Sequence, residues 1–175
     1  IEYEGAAAGL NCQPLTAIIL QGLLAPLLDS VNVVNAPLIA KERGIDVREV
    51  TRDQAEDYQT FIRLTIATER QQRTIAGTLF GGDKPRIVEI KGIKIEAELS
   101  PHMLYFTNED KPGLIGGMGQ ILGDAGLNIA TFHLGRAEAG GDAIGLVSID
   151  SDANEQVLNR LRALACIVQV KALRF

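Results

Sequence analysis

The sequence predicts a mixed α/β (α+β) chain of two small domains, residues 1–99 and 100–175, and three observations carry that prediction. Helix-period and strand-period apolar patterns alternate along the chain. Ser100-Pro101 interrupts them, and a new pattern starts beyond it. On the C-terminal side the elements run strand, helix, strand, strand, helix, strand; on the N-terminal side an α/β stretch closes in an antiparallel meander. The 175 residues, 46 % hydrophobic and 22 % charged, hold enough apolar mass for real cores.

In the first domain, Ile1–Tyr3 reads as a short strand and residues 4–11 as a small-residue loop. Residues 15–28 read as a helix with apolar residues all round, hence one buried on most sides. A second helix starts at Asn35-Ala36-Pro37, with Asn35 as N-cap, and stops at Gly44 as the C′ residue. Residues 45–50 alternate like a strand, and 51–59 form a polar loop. Ile62, Leu64 and Ile66 alternate with Arg63, Thr65 and Ala67 as a half-buried strand, and residues 74–80 form another, closed by Gly81-Gly82. Residues 86–97 make a hairpin around Lys91-Gly92, which suits a type I′ turn. That register sets Ile90 against Ile93 and Val88 against Ile95 on one face, and Glu89 against Lys94 on the other.

In the second domain, residues 103–107 read as a strand. Leu114, Met118, Ile121, Leu122 and Ala125 recur at helical spacing up to Gly126. Strands over 129–138 and 143–149 flank the turn Gly140-Gly141-Asp142, Asp152 and Glu155 resemble a capping box, and a last strand covers 167–173. The order βαββαβ is ferredoxin-like.

The helix that starts near Pro112 is the most informative element. Gly116, Gly117, Gly119 and Gly123 lie inside it, each costing about 0.8–1.0 kcal/mol relative to Ala. Either they let the helix press against the sheet or a partner chain, or they let a ligand approach its backbone. The preceding turn, residues 107–113, adds matching chemistry: free N–H groups at a helix N-terminus attract a carboxylate, Asp110 accepts from an ammonium, and Asn108 donates and accepts. A lone phosphate would be repelled by Asp110, whereas an α-amino acid suits both charges. Asp110 also reads as an ordinary N-cap, and Asn128 either caps a turn or reaches a ligand.

Other chemistries are excluded or weak. The net charge of −5 and a pI near 5.1 argue against a nucleic-acid partner, and Tyr105 and Phe106, adjacent on one strand, point to opposite faces. The run Gly117-Met118-Gly119-Gln120-Ile121-Leu122 has Leu where a dinucleotide fingerprint needs Gly or Ala. His102 and His133 lack Ser, Cys or carboxylate partners at a suggestive spacing, and no metal-ligand cluster or enzyme active site is legible. Cys12 and Cys166 read as two reduced, buried thiols of a cytoplasmic protein. Lys84 and Arg86, beside Gly81-Gly82, either hold an anion or form a solvated hairpin edge. The run 15–28 is too short and broken to span a bilayer, so no membrane partner is expected. The chain opens on Ile1 without Met or a charged leader, so it reads as a fragment with no signal peptide.

Residues 31–45, VNVVNAPLIAKERGI, together with Ala76–Gly81 and Pro85–Val88, resemble the intervening domain of long-form D-3-phosphoglycerate dehydrogenases. Asn108–Gly113, Gly123–Ala130 and Leu134–Arg136 resemble the C-terminal ACT domain of that family. The resemblance implies the regulatory, self-associating part of an enzyme of L-serine biosynthesis, with L-serine as the feedback inhibitor between paired ACT domains. The positions matching the serine contacts are Asn108, Asp110, Gly113, Leu114 and Asn128, the last facing serine held by the partner. Arg86, with Lys84 nearby, matches a second anion site, although Glu98 stands where a basic residue can contribute. Asn108 replaces the His or Tyr of some members. The resemblance places NAD in a catalytic part absent from this chain and no cofactor here. A purely structural oligomerisation module is the rival reading.

Overall fold

A computed structural model describes residues 1–53 and 57–175, which form two compact units, Ile1–Gln72 and Arg73–Phe175. Part of the expected 51–59 loop lies outside the described residues. In the first unit, β1 (Glu2–Gly5) pairs parallel with β2 (Val50–Arg52) and antiparallel with β3 (Thr60–Ala67). Residues 45–49 are irregular rather than a strand; pairing with β1 begins only at Val50 and takes in Thr51 and Arg52, expected in the loop.

The helix expected from Leu15 begins earlier. α1 (Cys12–Leu24) is capped by Asn11, whose side chain accepts from Gln13 N, and its last turn tightens to a 3₁₀ turn over Ala25–Leu27. It is not buried on most sides: Leu20 and Leu24 face α2 (Ala36–Glu42) with Ala36 and Ala40, while Ile18 is 54 % and Leu27 75 % exposed. The stop of α2 matches the sequence. Gly44, at φ +70°, donates to Lys41 O and Ile45 to Ala40 O, the two bonds of a Schellman motif. Asn35 occupies the N-cap position, but its Oδ1 accepts from Asn32 N rather than from the helix.

The second unit contains the meander β4 (Gln72–Phe80), β5 (Lys84–Ile90) and β6 (Ile93–Glu98). Lys91 and Gly92 sit at φ 54° and 78°, the two positive angles of a type I′ turn. Ile90 pairs with Ile93 and Glu89 with Lys94, as expected. Beyond them a bulge on β6, where Ile95 and Glu96 stand against the single Val88, shifts the register, so Ile87 meets Ala97 and the Val88–Ile95 pairing is not kept; both side chains remain buried.

The rest of the unit is β7 (His102–Glu109), α3 (Leu114–Asp124), β8 (Ile129–Arg136), β9 (Asp142–Ile149), α4 (Glu155–Arg162) and β10 (Ile167–Arg174), in the predicted βαββαβ order. The sheet runs β10-β7-β9-β8 and is antiparallel throughout. One face meets α3 and α4 through Leu104, Phe106, Val147, Met118 and Leu161. The other meets the hairpin through Met103, Ile144, Leu146, Ile90, Ile93 and Ile95. β9 is therefore buried on both faces, and its residues from Ala143 to Ile149 are all buried, the polar Ser148 included. Tyr105 and Phe106 do face opposite cores. Asn154, not Asp152, caps α4: its Oδ1 accepts from Val157 N at 3.0 Å, and Asp152 lies outside the helix.

Candidate functional site

At the C-terminal end of β7 the chain turns through Asp110–Gly113 into α3, beside the end of β8. Asn108, Asp110, Lys111, Pro112, Gly113, Leu114, Ile115, Gly116, Leu134 and Arg136 line a cavity of about 380 Å³. The sheet register builds it, since Asn108 pairs with Ala143 and Ala143 with Arg136. Leu134 and Arg136, two residues apart on β8, share a face.

Gly113 is the N-cap of α3, at φ 97° and with no side chain over the first turn. Asp110 is therefore not the N-cap. Its Oδ2 accepts from Gly140 N and from Arg136 Nη1, each at 3.1 Å. The Gly140 amide, then Arg136, hold its carboxyl below the usual value of 3.8. Lys111 is paired with Glu109, which raises its ammonium above the ordinary range. The first amides of α3 have no i−4 carbonyl and open beside the cavity.

Asn108 is 2 % exposed. Its Nδ2 donates to Glu109 O at 2.8 Å, but its Oδ1 is buried with no hydrogen-bond partner among the described residues. A buried acceptor left without a donor costs about 1–3 kcal/mol, so this oxygen marks a place for a ligand donor. A carboxylate acceptor, an orphan amide oxygen and free helix amides around one cavity match the ammonium, hydroxyl and carboxylate of a small amino acid.

Of the predicted site residues, Asn108, Asp110, Gly113 and Leu114 come together here and Asn128 does not. Asn128 precedes β8 at its far end, about 26 Å along the strand from Arg136. Its Nδ2 donates to Asp150 Oδ2 at 3.1 Å, and its carbonyl accepts from Asp150 N. Arg136 and Leu134 belong to a segment that resembles the ACT domain but are not among the predicted site residues; their period-two spacing at the end of a strand is the local signal that puts them on one face. Lys84 and Arg86 lie on β5, where Arg86 Nη2 donates to Glu98 Oε2 at 3.4 Å and the guanidinium stacks 4.9 Å from the Phe80 ring centroid. Glu98 thus meets the charge an anion would need.

The dinucleotide-like run lies inside α3, with Gly117 against Leu164, so this run does not form a strand-to-helix phosphate cradle. His102, for which the sequence offers no carboxylate at a suggestive spacing, has its Nδ1 2.9 Å from Asp152 Oδ1, fifty residues away. Cys12 is buried and Cys166 half-buried rather than buried, and both are free thiols. Among the described residues no three His, Cys, Asp or Glu side chains gather to hold a metal ion, and no helix is long and apolar enough to cross a membrane.

Residues 1–91 match the D-3-phosphoglycerate dehydrogenase intervening domain, and residues 102–166 match the ACT domain. The chain belongs to the D-3-phosphoglycerate dehydrogenase family. It is 38 % identical over 172 residues to the D-3-phosphoglycerate dehydrogenase of Bacillus subtilis (strain 168), covering 98 % of this chain and 33 % of that protein. It is 33 % identical over 169 residues to the enzyme of the same name from Methanocaldococcus jannaschii, covering 96 % and 32 %. With the Synechocystis enzyme it shares 34 % over 158 residues, 90 % of this chain and 28 % of that one. The chain thus spans about a third of the length of these dehydrogenases. Its two matched segments lie on either side of Ser100-Pro101.

Proposed function

We propose that this chain is the regulatory and self-associating part of a cytoplasmic, NAD-dependent phosphoglycerate dehydrogenase of L-serine biosynthesis, and that L-serine binds at an interface of two ACT domains as its feedback inhibitor. Residues 1–99 serve as the intervening domain and 100–175 as the ACT domain. Oxidation of 3-phosphoglycerate by NAD belongs to the portion of the relatives that this chain does not span. The observation that carries the reading is the unpartnered, buried Asn108 Oδ1 beside Asp110 and the α3 amides.

The serine hydroxyl donates to Asn108 Oδ1, the ammonium approaches Asp110, and the carboxylate meets the N–H groups following Gly113 and Leu114. β8 stands at the edge of its sheet, with no further strand hydrogen-bonded to it among the described residues. Antiparallel pairing of two β8 strands about a two-fold axis would set Asn128 of one copy opposite Arg136 of the other. That supports Asn128 as the residue the second copy adds. Serine bridging two subunits then favours one inter-subunit arrangement by its differential affinity for it.

Calorimetric titration of the chain with L-serine tests the reading. Heat with saturable stoichiometry is expected, and Asp110→Ala is expected to abolish it. A stable dimer that gives no heat would replace this reading with the structural oligomerisation module.

A further inference from the structure

Asp110 engages its neighbours through one oxygen only. Gly140 N and Arg136 Nη1 both donate to Oδ2, and Oδ1 makes no hydrogen bond among the described residues. Arg136 is equally one-sided: Nη1 is bound, while Nε and Nη2 have no partner among the described residues. Its side chain is 60 % exposed and reaches the cavity from the last position of β8. Lys111, the other cation on the cavity wall, is tied to Glu109. Of these two cations only Arg136 offers a planar fork, and its Nε–H and Nη2–H edge is unpaired among the described residues.

The backbone fixes where that guanidinium sits. Arg136 pairs with Ala143 on β9, and the preceding Gly135 packs so closely that a Cβ there would overlap Lys94 O on β6. Strand pairing on one side and the hairpin backbone on the other leave β8 little room to shift. The ion pair with Asp110 then holds the free N–H groups beside the free Asp110 oxygen, so the two charges stand side by side. An α-amino acid likewise carries an ammonium and a carboxylate on one carbon.

We infer that Arg136 is a specificity-determining residue for the ligand's carboxylate, completing with the first amides of α3 a site that takes a free amino acid and rejects its amide. This rests on the proposed amino-acid site and adds to it the group that reads the acid end. The ligand's ammonium takes Asp110 Oδ1, and its carboxylate takes the unused Nε–H and Nη2–H edge, leaving the Asp110–Arg136 pair intact. A guanidinium fork gives two parallel charge-assisted bonds that a lysine cannot match.

The test compares L-serine with L-serinamide by calorimetry, at a pH where the amine of serinamide is protonated, on the full 175-residue chain and on Arg136→Gln and Arg136→Lys. The unsubstituted chain is expected to prefer L-serine by at least about tenfold, or ~1.4 kcal/mol. Arg136→Gln is expected to remove that preference by weakening L-serine alone. Arg136→Lys, which keeps the charge toward Asp110 without the fork, falls between them. If Arg136 only props Asp110, Arg136→Gln weakens both ligands equally, and the inference is overturned while the amino-acid site stands. Equal affinity of the unsubstituted chain for both ligands has the same meaning. Absence of binding by the unsubstituted chain to either ligand overturns the site and the inference together.

Discussion

Asp110 makes the site sensitive to acid with a definite sign. The Gly140 amide and Arg136 favour its ionised form, so its folded value lies below the ordinary 3.8. Its contribution to stability is therefore present at neutral pH and is lost as pH falls below the ordinary carboxylate range and through the lowered folded value. Urea unfolding of the chain and of Asp110→Asn should differ at neutral pH, with the substituted chain less stable, and converge in acid. Gly145 faces a harder constraint, because a Cβ there would overlap the ring of Phe106, its partner on β7 and a fully buried side chain. Gly145→Ala should destabilise the chain by about 1–3 kcal/mol, read from the denaturation midpoint. Neither constraint is visible one residue at a time. Asp110 was recognisable as a carboxylate beside a helix start, but its partners Arg136 and Gly140 lie 26 and 30 residues away in sequence. They come to it only through the register of β7, β9 and β8.

The elements were far more legible, because their signals are local. The type I′ turn at Lys91-Gly92 and the Schellman stop at Gly44 follow from short-range backbone chemistry and stand where the residues put them. The readings that did not hold depended on long-range packing. α1 looked buried on most sides because apolar residues encircle it, yet the cores of its unit cover only one face. At the start of α4 the spacing points to Asp152, whereas Asn154, two residues on, caps the helix. The glycines of α3 divide in the same way. Gly117 presses on Leu164, whereas a Cβ at Gly119 would meet nothing within 4 Å. Gly119→Ala should stabilise the chain by up to about 1 kcal/mol, while Gly117→Ala should gain less or lose stability, a contrast that thermal unfolding of the two variants resolves.

At the scale of the whole molecule, the break at Ser100-Pro101 is a change of local pattern, whereas the division into compact units falls after Gln72. The hairpin residues Ile90, Ile93 and Ile95 share their core with Met103, Ile144 and Leu146, a pairing that periodicity within either stretch does not contain. The edge strand β8 carries the expectation about assembly. Leu134 is 41 % exposed on the wall of the cavity, and Leu134→Glu should shift a dimeric chain toward monomers in sedimentation velocity. The close approach of Gly135 to Lys94 O also joins two parts of the second unit mechanically. On the strand that holds Leu134 and Arg136, Gly135 lies against the Lys94 carbonyl and the Ile93 side chain of β6 and has no side chain of its own to absorb a displacement. Holding β8 still therefore holds the hairpin still. The amides of Ile93 and Lys94 should exchange with deuterium more slowly when L-serine fills the cavity, although the ligand touches neither residue.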